Sequence, residues 1–447
     1  MDWEAYYNSR LVSAEEALSY IHDGDMVVPS HSSAEPKYLF YKLVELKDNY
    51  HNVGILQGLN IGDAPYAAED CYGHFIIYSF FPGAKNRKCL QEGRGELIPI
   101  HFYGQPVAMK DGHLPIDVGL IQVTPPDENG EVYMGTSCDQ MRVILDKARV
   151  VIAQVNDHMP HVYGETKIPV TDIDYFVRYD EDIYELPFIR SDNPIAEKIG
   201  YYISTLIEDG SVLQMGQGSI PNAILPFLEE KKDLGIHTEV FSDNLIPLVK
   251  KGVVNGAAKN IDRGLIVATF IQGTKDLYKF VDYNPMIKLM PVEYTNKVAT
   301  ISQLDKVVSI NSALQVDLMG QVVADAIGPK PFSGVGGQLD FVRGAEESKG
   351  GKSIIALPST AKDDTISRIV AMLAPGTPVT TTRNDVHYVI TEYGIADLFG
   401  KSLNQRAKAL IEIAHPKFRA QLEEDWINYQ REYVKMQHVY GDLDLLY

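Results

Sequence analysis

The chain has 447 residues, 45% of them hydrophobic and 23% charged, a composition that supports two or three folded domains and excludes a disordered or small stapled protein. Lys and Arg total 41 against 60 Asp and Glu, a formal charge of −19, which argues against a broad basic face for nucleic acid or an anionic membrane. Any anionic ligand must be held by a local site.

The start, Met1-Asp2-Trp3-Glu4-Ala5, is acidic and leads into no apolar core, so no signal peptide is expected. Apolar stretches such as 264–271 are too short to span a bilayer. Cys71, Cys89 and Cys138 form no CxxC pair and are odd in number, against a disulfide framework or a structural zinc site. A reduced, cytoplasmic protein is expected.

Strand and helix patterns alternate along the chain. In the first half, 25–29 reads as a strand, 36–46 as a helix and 53–56 as a second strand. The apolar run 118–123, the turn residues 125–130 with their Asn129-Gly130, and 131–134 read as a hairpin. A helix over 140–148 and a buried strand over 150–155 follow. The acidic stretch 179–187 ends in Pro187 and precedes Asn193-Pro194, a helix cap with proline at the first helical position. A domain boundary is therefore expected near 190, dividing the chain into 1–190 and 191–447.

The helix from Pro194 carries Ile195, Ile199, Tyr202, Ile203, Leu206 and Ile207 at helical spacing and is expected to stop at Asp209-Gly210. Strands over 211–215 and 237–241 flank a glycine-rich turn and a helix reaching 224–228. Strand 265–270, helix 275–283 and strand 288–292 repeat the alternation, and 402–415 and 416–429 read as terminal helices. Both halves read as α/β, the second mostly parallel.

Three segments could carry chemistry. Gly216-Gln217-Gly218-Ser219-Ile220 lies between a strand and a helix, where glycines bring backbone N–H groups close to a ligand. It lacks the Gly-Lys-Ser/Thr ending of a Walker loop and the third glycine of a dinucleotide fingerprint, so a tight structural turn explains it equally well. Ser333-Gly334-Val335-Gly336-Gly337-Gln338 makes a poor strand and a poor helix, which points to a backbone passing close to something, with a flexible hairpin tip as the alternative. In His237-Thr238-Glu239 a carboxylate ends a strand, where open α/β sheets keep active-site groups. Taken alone, Glu239 reads more naturally as an exposed acid and His237 as a packing residue. His31, His74, His101 and His113 show no ligand spacing and read as non-metal, and the 26 tyrosines lack the basic interleaving of a base-stacking surface.

Together these segments resemble the acetyl-CoA hydrolase/transferase family, and within it the CoA-transferases that act on 4-hydroxybutyrate or on butyryl-CoA and acetate. The likeness covers nearly the whole chain. It rests on Val123-Thr124-Pro125-Pro126-Asp127, Gln154 to Pro160, Gly216 to Ala223, His237 to Glu239, Ile310 to Gln321, Ser333 to Gln338, Val389 to Asp397 and Ile413 to Pro416.

The resemblance implies two similar open α/β domains of the CoA-transferase type, the second one catalytic, with Glu239 as nucleophile. It implies that Gly216, Gln217, Gly218, Ser219 and Ile220 line the pantetheine and oxyanion site and that Gly334, Gly336 and Gly337 wrap the CoA near its thioester. Asn311 and Lys362 are further candidates for CoA contacts. Gln214 and the loop 30–35 are expected to face the acyl group, although that loop reads equally as a helix cap before Pro36. Gln217 and Ser219 replace the aliphatic or small residues more common in relatives, so a differently polarised acyl pocket is expected. The implied activity is transfer of CoA between short-chain acyl-CoA and a carboxylate such as acetate, in a homodimer, without metal or redox cofactor. An acyl-CoA hydrolase using the same intermediate is the alternative, and a non-catalytic CoA sensor, which would lack the nucleophile, is the other class.

Overall fold

The computed structural model describes residues 2–187 and 193–440; the boundary expected near 190 lies outside the described residues. Seven strands form the first sheet in the spatial order Gly95–Leu97, Phe75–Phe81, Val53–Leu59, Met26–Pro29, Val118–Val123, Val150–Val155 and Tyr175–Arg178. Every pairing is parallel. Val118–Val123 and Val150–Val155 are buried along their whole length, as befits strands covered on both faces.

A second sheet orders Gly235–Ile236, Val212–Met215, Val307–Ser312, Lys352–Ala356, Tyr388–Thr391 and Gly394–Asp397. Only its last pair is antiparallel. In each sheet the strand order reverses beside the first strand of its half, Met26–Pro29 or Val212–Met215. The loops 30–35 and 216–220 leave from these reversal points, where parallel sheets open a crevice for ligands.

The halves share one apolar core, which runs from Val28 and Ile121 through Met134 to Leu213 and Ile310. Backbone bonds also join them: Ile271 N–H donates to Thr136 O at 2.7 Å and Cys138 N–H to Thr269 O at 2.9 Å. Cys71, Cys89 and Cys138 are free and buried.

The structure departs from the expected elements in instructive places. Glu131–Tyr133 forms no hairpin with Val118–Val123; it pairs antiparallel with Lys167–Pro169. Both edges of Val118–Val123 are occupied by parallel neighbours, and Pro125-Pro126 removes two donors just beyond it. The turn itself forms, with Gly130 at φ +74° and the Asp127 carboxylate accepting from Asn129 and Glu131 N–H. The helix Pro194–Leu206 is capped by Asn193 Oδ1, which accepts from Ile195 N–H, and ends before Asp209. The expected strand over 237–241 is two strands, Gly235–Ile236 and Val240–Phe241, in different sheets. The helix Pro416–Tyr440 runs past the expected end at 429. No helix among the described residues is long and apolar enough to cross a membrane.

Candidate active site

Glu239 lies in the gap between those two short strands, and its backbone is fixed on several sides. His237 N–H donates to Leu213 O, Thr238 N–H to Val267 O, and the Thr238 hydroxyl to Met215 O at 3.2 Å. The Glu239 carbonyl accepts from both Thr269 N–H and Phe270 N–H, at 2.9 and 3.0 Å. A residue held this way keeps its side chain aimed in one direction, as a reacting group requires.

That direction is toward the glycine loop 333–337. Glu239 Oε1 accepts from Asn296 Nδ2 at 2.6 Å, and the Gly337 backbone N–H also bonds the carboxylate. Gly337 is the N-cap of the helix Gln338–Glu347, so the carboxylate rests against unsatisfied N–H groups and the positive end of a helix dipole. A Cβ on Gly337 would stand 1.9 Å from Glu239 Oε1 and 2.0 Å from Asn296 Nδ2; one on Gly334 would stand 2.0 Å from the Phe80 carbonyl. The close approaches that the glycine pattern calls for are thus to the Glu239 carboxylate and to a strand end of the first half.

Burial raises the Glu239 carboxyl to about 7; the charge of Asp340 adds to the rise, while Asn296 and Gly337 oppose it. Behind it, His237 is buried, and its Nε2–H donates to the Thr295 carbonyl at 2.9 Å. Desolvation, with the nearby Lys259 ammonium, lowers His237 to about 4, so at neutral pH it is an uncharged packing residue. The Thr295 hydroxyl donates to Asn296 Oδ1 at 3.0 Å and so orients the amide whose nitrogen meets Glu239.

The first half closes over this site. Phe102 N–H donates to Gly336 O at 3.0 Å, Tyr103 N–H to Asp340 Oδ2 at 3.2 Å, and the Ser33 hydroxyl to Ile271 O at 2.7 Å. The loop 30–35 is buried and does not cap the following helix, Lys37–Glu45, whose N-cap Pro36 receives no side-chain bond. Glu35 Oε2 instead accepts from Gln57, Asn60 and Tyr66, and burial pushes its carboxyl up to about 7. His31 Nδ1 meets Asp139 Oδ2, and its ring lies edge-on to Phe102 and Phe270, centroids 6.0 and 5.1 Å away.

The remaining expected residues divide. Gln217 Nε2 donates to Gln272 O at 2.6 Å. Gly216 has open space where a Cβ would be, Gly218 takes φ +138°, a conformation for glycine alone, Ser219 is exposed, and Ile220 is buried. Asn311 Nδ2 donates to Gln214 Oε1 and Ser309 Oγ, at 3.2 and 2.9 Å, placing it on the strand beside loop 216–220. Lys362 stands exposed at the tip of the turn between Thr360–Ala361 and Ile366–Ser367, and among the described residues no bond links it to Glu239. Asn296, Asp340 and Tyr103 were not among the expected site residues. Asp340 falls just past the glycine run 334–337, whereas Asn296 carries no local signal.

Residues 1–189 match the acetyl-CoA hydrolase/transferase N-terminal domain and residues 273–426 the C-terminal domain of the same family. A 4-hydroxybutyrate coenzyme A transferase of Clostridium kluyveri is 47% identical over 422 residues, 94% of this chain and 98% of the relative. The chain belongs to the acetyl-CoA hydrolase/transferase family. Among other relatives of this family member, a butyryl-CoA:acetate CoA-transferase of Anaerostipes caccae is 37% identical over 95% of this chain and 97% of its own. The crystal structure of a 4-hydroxybutyrate CoA-transferase from Porphyromonas gingivalis superposes with a TM-score of 0.83 at 39% identity, covering 96% of this chain and all of that one. RipA from Yersinia pestis superposes at 0.91 with 35% identity over the same share of each chain. Glu239 lies between the two matched domain segments, in a region spanned by the full-length relatives.

Proposed function

We propose that this chain is a CoA-transferase that moves CoA between a short-chain acyl-CoA, butyryl-CoA or 4-hydroxybutyryl-CoA, and a carboxylate such as acetate, with Glu239 as nucleophile. The carrying observation is the Glu239 carboxylate fixed against Asn296 and Gly337 at a helix N-terminus, in a chain alike over its length to named CoA-transferases.

The Glu239 carboxylate attacks the thioester carbonyl, and the C–S bond breaks to give an acyl-glutamyl anhydride and CoA thiolate. The thiolate attacks the glutamyl carbonyl and releases the first carboxylate, leaving a glutamyl-CoA thioester. An acceptor carboxylate then reverses the sequence and leaves as the new acyl-CoA. The steps pass through oxyanions, and the one formed on the glutamyl carbon would be favoured by the Gly337 N–H that bonds the Glu239 carboxylate and by the Gln338–Glu347 helix terminus. Thioester and anhydride are already activated acyl groups, so the chemistry requires neither metal nor redox cofactor. Gly216–Ile220, Gly334, Gly336, Asn311 and Lys362 are assigned to CoA, and a cytoplasmic homodimer completes the reading.

Two measurements test it. Incubation with butyryl-CoA is expected to add CoA to the intact protein, at Glu239 by peptide mapping, and acetate is expected to discharge the adduct. Discharge by water at the same rate would make the protein a hydrolase, and failure to form the adduct with several acyl-CoAs would overturn the assignment. Treatment with EDTA is expected to leave the transfer rate unchanged; loss of activity restored by zinc would contradict the mechanism.

A further inference from the structure

Glu239 faces a second carboxylate. Asn296 Nδ2 donates to Glu239 Oε1 at 2.6 Å and to Asp340 Oδ2 at 3.2 Å, so the two acidic groups are joined through one nitrogen atom and lie within a few ångströms of each other. The bridging amide is neutral and cancels neither charge.

Groups nearby compensate the pair only in part, with Arg343 and His101 acting on Asp340 from a distance and forming no ion pair with it. Arg343, one turn along the same helix, is committed to Asp385, with Nε at 2.9 Å from Oδ1. From the first half, the segment 101–103 offers Asp340 the Tyr103 N–H and the half-buried His101 ring; from behind, His237 is held neutral. Among the described residues neither carboxylate forms an ion pair with Lys, Arg or His. Asp340 is 8% exposed, so its charge is poorly screened by water.

We infer that Asp340 is a positioning residue for Glu239 whose like charge, held in place by the shared Asn296 amide, drives the nucleophile toward its covalent CoA adduct. The inference rests on Glu239 being the nucleophile. In the free enzyme two carboxylates repel each other across Asn296. When Glu239 becomes the glutamyl-CoA thioester it is uncharged, the negative charge departs with the released carboxylic acid anion, and the repulsion ends. Asp340 therefore destabilises the free enzyme relative to the adduct and makes the Glu239 carboxylate more basic and a better nucleophile. Burial is the main cause of the raised carboxyl of Glu239, and the Asp340 charge adds to it; the Asp340 carboxyl is itself raised by burial.

The test compares wild type with Asp340→Asn and Asp340→Glu at pH 8, at a fixed ratio of butyryl-CoA to butyrate, with the adduct fraction read by intact mass. Asp340→Asn is expected to lower the ratio of adduct to free enzyme about tenfold, equivalent to one pKa unit of lost repulsion, and to move the acid limb of kcat/KM for butyryl-CoA to lower pH. Asp340→Glu is expected to restore both. Should Asp340→Asn fail to fold, Asp340→Ser removes the same charge with less bulk. Loss of kcat with an unchanged acid limb and unchanged adduct ratio would reduce Asp340 to a structural role and overturn the inference. Absence of an adduct at Glu239 in the wild type would instead overturn the nucleophile assignment.

Discussion

Glu239→Gln is expected to lower the transferase rate at least about 10⁴-fold, the scale of losing a nucleophile, while raising the melting temperature at pH 8. The amide keeps an oxygen for Asn296 Nδ2 and a similar shape, so the fold is retained, but it cannot attack a thioester. The stability gain follows from the displaced ionisation. The carboxyl has a model value of 4.5 and lies at about 7 in the folded chain. As pH rises from 4.5 to 7 the unfolded chain ionises while the folded chain resists. Stability is therefore fully present below about 4.5 and is lost as pH climbs through 7. With Glu239 half-buried, the loss above pH 7 is on the order of 2 kcal/mol, which Glu239→Gln relieves. Thermal melts at pH 8 and pH 5 check the sign: the variant melts higher at pH 8 and the gap narrows at pH 5. A variant that melts lower at pH 8 would contradict the buried-charge account. With Glu239 as the proposed nucleophile, the same ionisation is expected to set activity, kcat/KM for acyl-CoA falling below pH 7 as the carboxylate is protonated.

The site is only half legible in the sequence, because the contacts that build it join residues far apart in the chain. The buried parallel strands Val118–Val123 and Val150–Val155 announce themselves as continuous apolar runs, and the cap Asn193-Pro194 marks the start of its helix, because these signals are local. The glycine loops were legible as places where the backbone approaches something, but what it approaches was not. Gly334 meets the Phe80 carbonyl of the other half, and Gly337 meets Glu239, at separations no local pattern encodes. Glu239 read as an ordinary exposed acid because nothing adjacent shows that Asn296, 57 residues away, and the Gln338–Glu347 helix terminus enclose it. The expected strand over 237–241 failed for a related reason. Val240–Phe241 leaves the large sheet to pair with Phe270–Ile271, and the resulting break puts Glu239 beside the loop 333–337. Loop 30–35 reads equally as a loop facing the acyl group and as a cap from its Ser and Glu residues; the cap does not form, because Ser33 bonds Ile271 and Glu35 bonds Gln57, Asn60 and Tyr66, partners contributed by tertiary packing.

Gly337→Ala and Gly334→Ala separate catalysis from assembly within one loop. At Gly337 the new Cβ meets the ends of two side chains, Glu239 Oε1 and Asn296 Nδ2, which can swing aside. The helix Gln338–Glu347 tolerates alanine at its cap at modest cost, since φ there is −100°, but the Glu239 carboxylate is pushed from its place and away from the Gly337 N–H that bonds it. A displacement of that size costs about 10²-fold or more in rate, so Gly337→Ala is expected to fold, to melt near the wild type and to lose at least that much kcat/KM. At Gly334 the obstacle is the Phe80 carbonyl, with the Phe81 Cα at 2.9 Å. Backbone within a paired strand cannot move aside singly, so the two halves must separate locally, at about 1–3 kcal/mol or more. Gly334→Ala is therefore expected to lower the melting temperature and to loosen the bond from Phe102 N–H to Gly336 O, seen as faster amide exchange at Phe102. If both variants lost stability alike while retaining the rate of adduct formation at Glu239, the loop would be a structural seam between the halves, and the placement of the nucleophile against Gly337 would not govern the reaction.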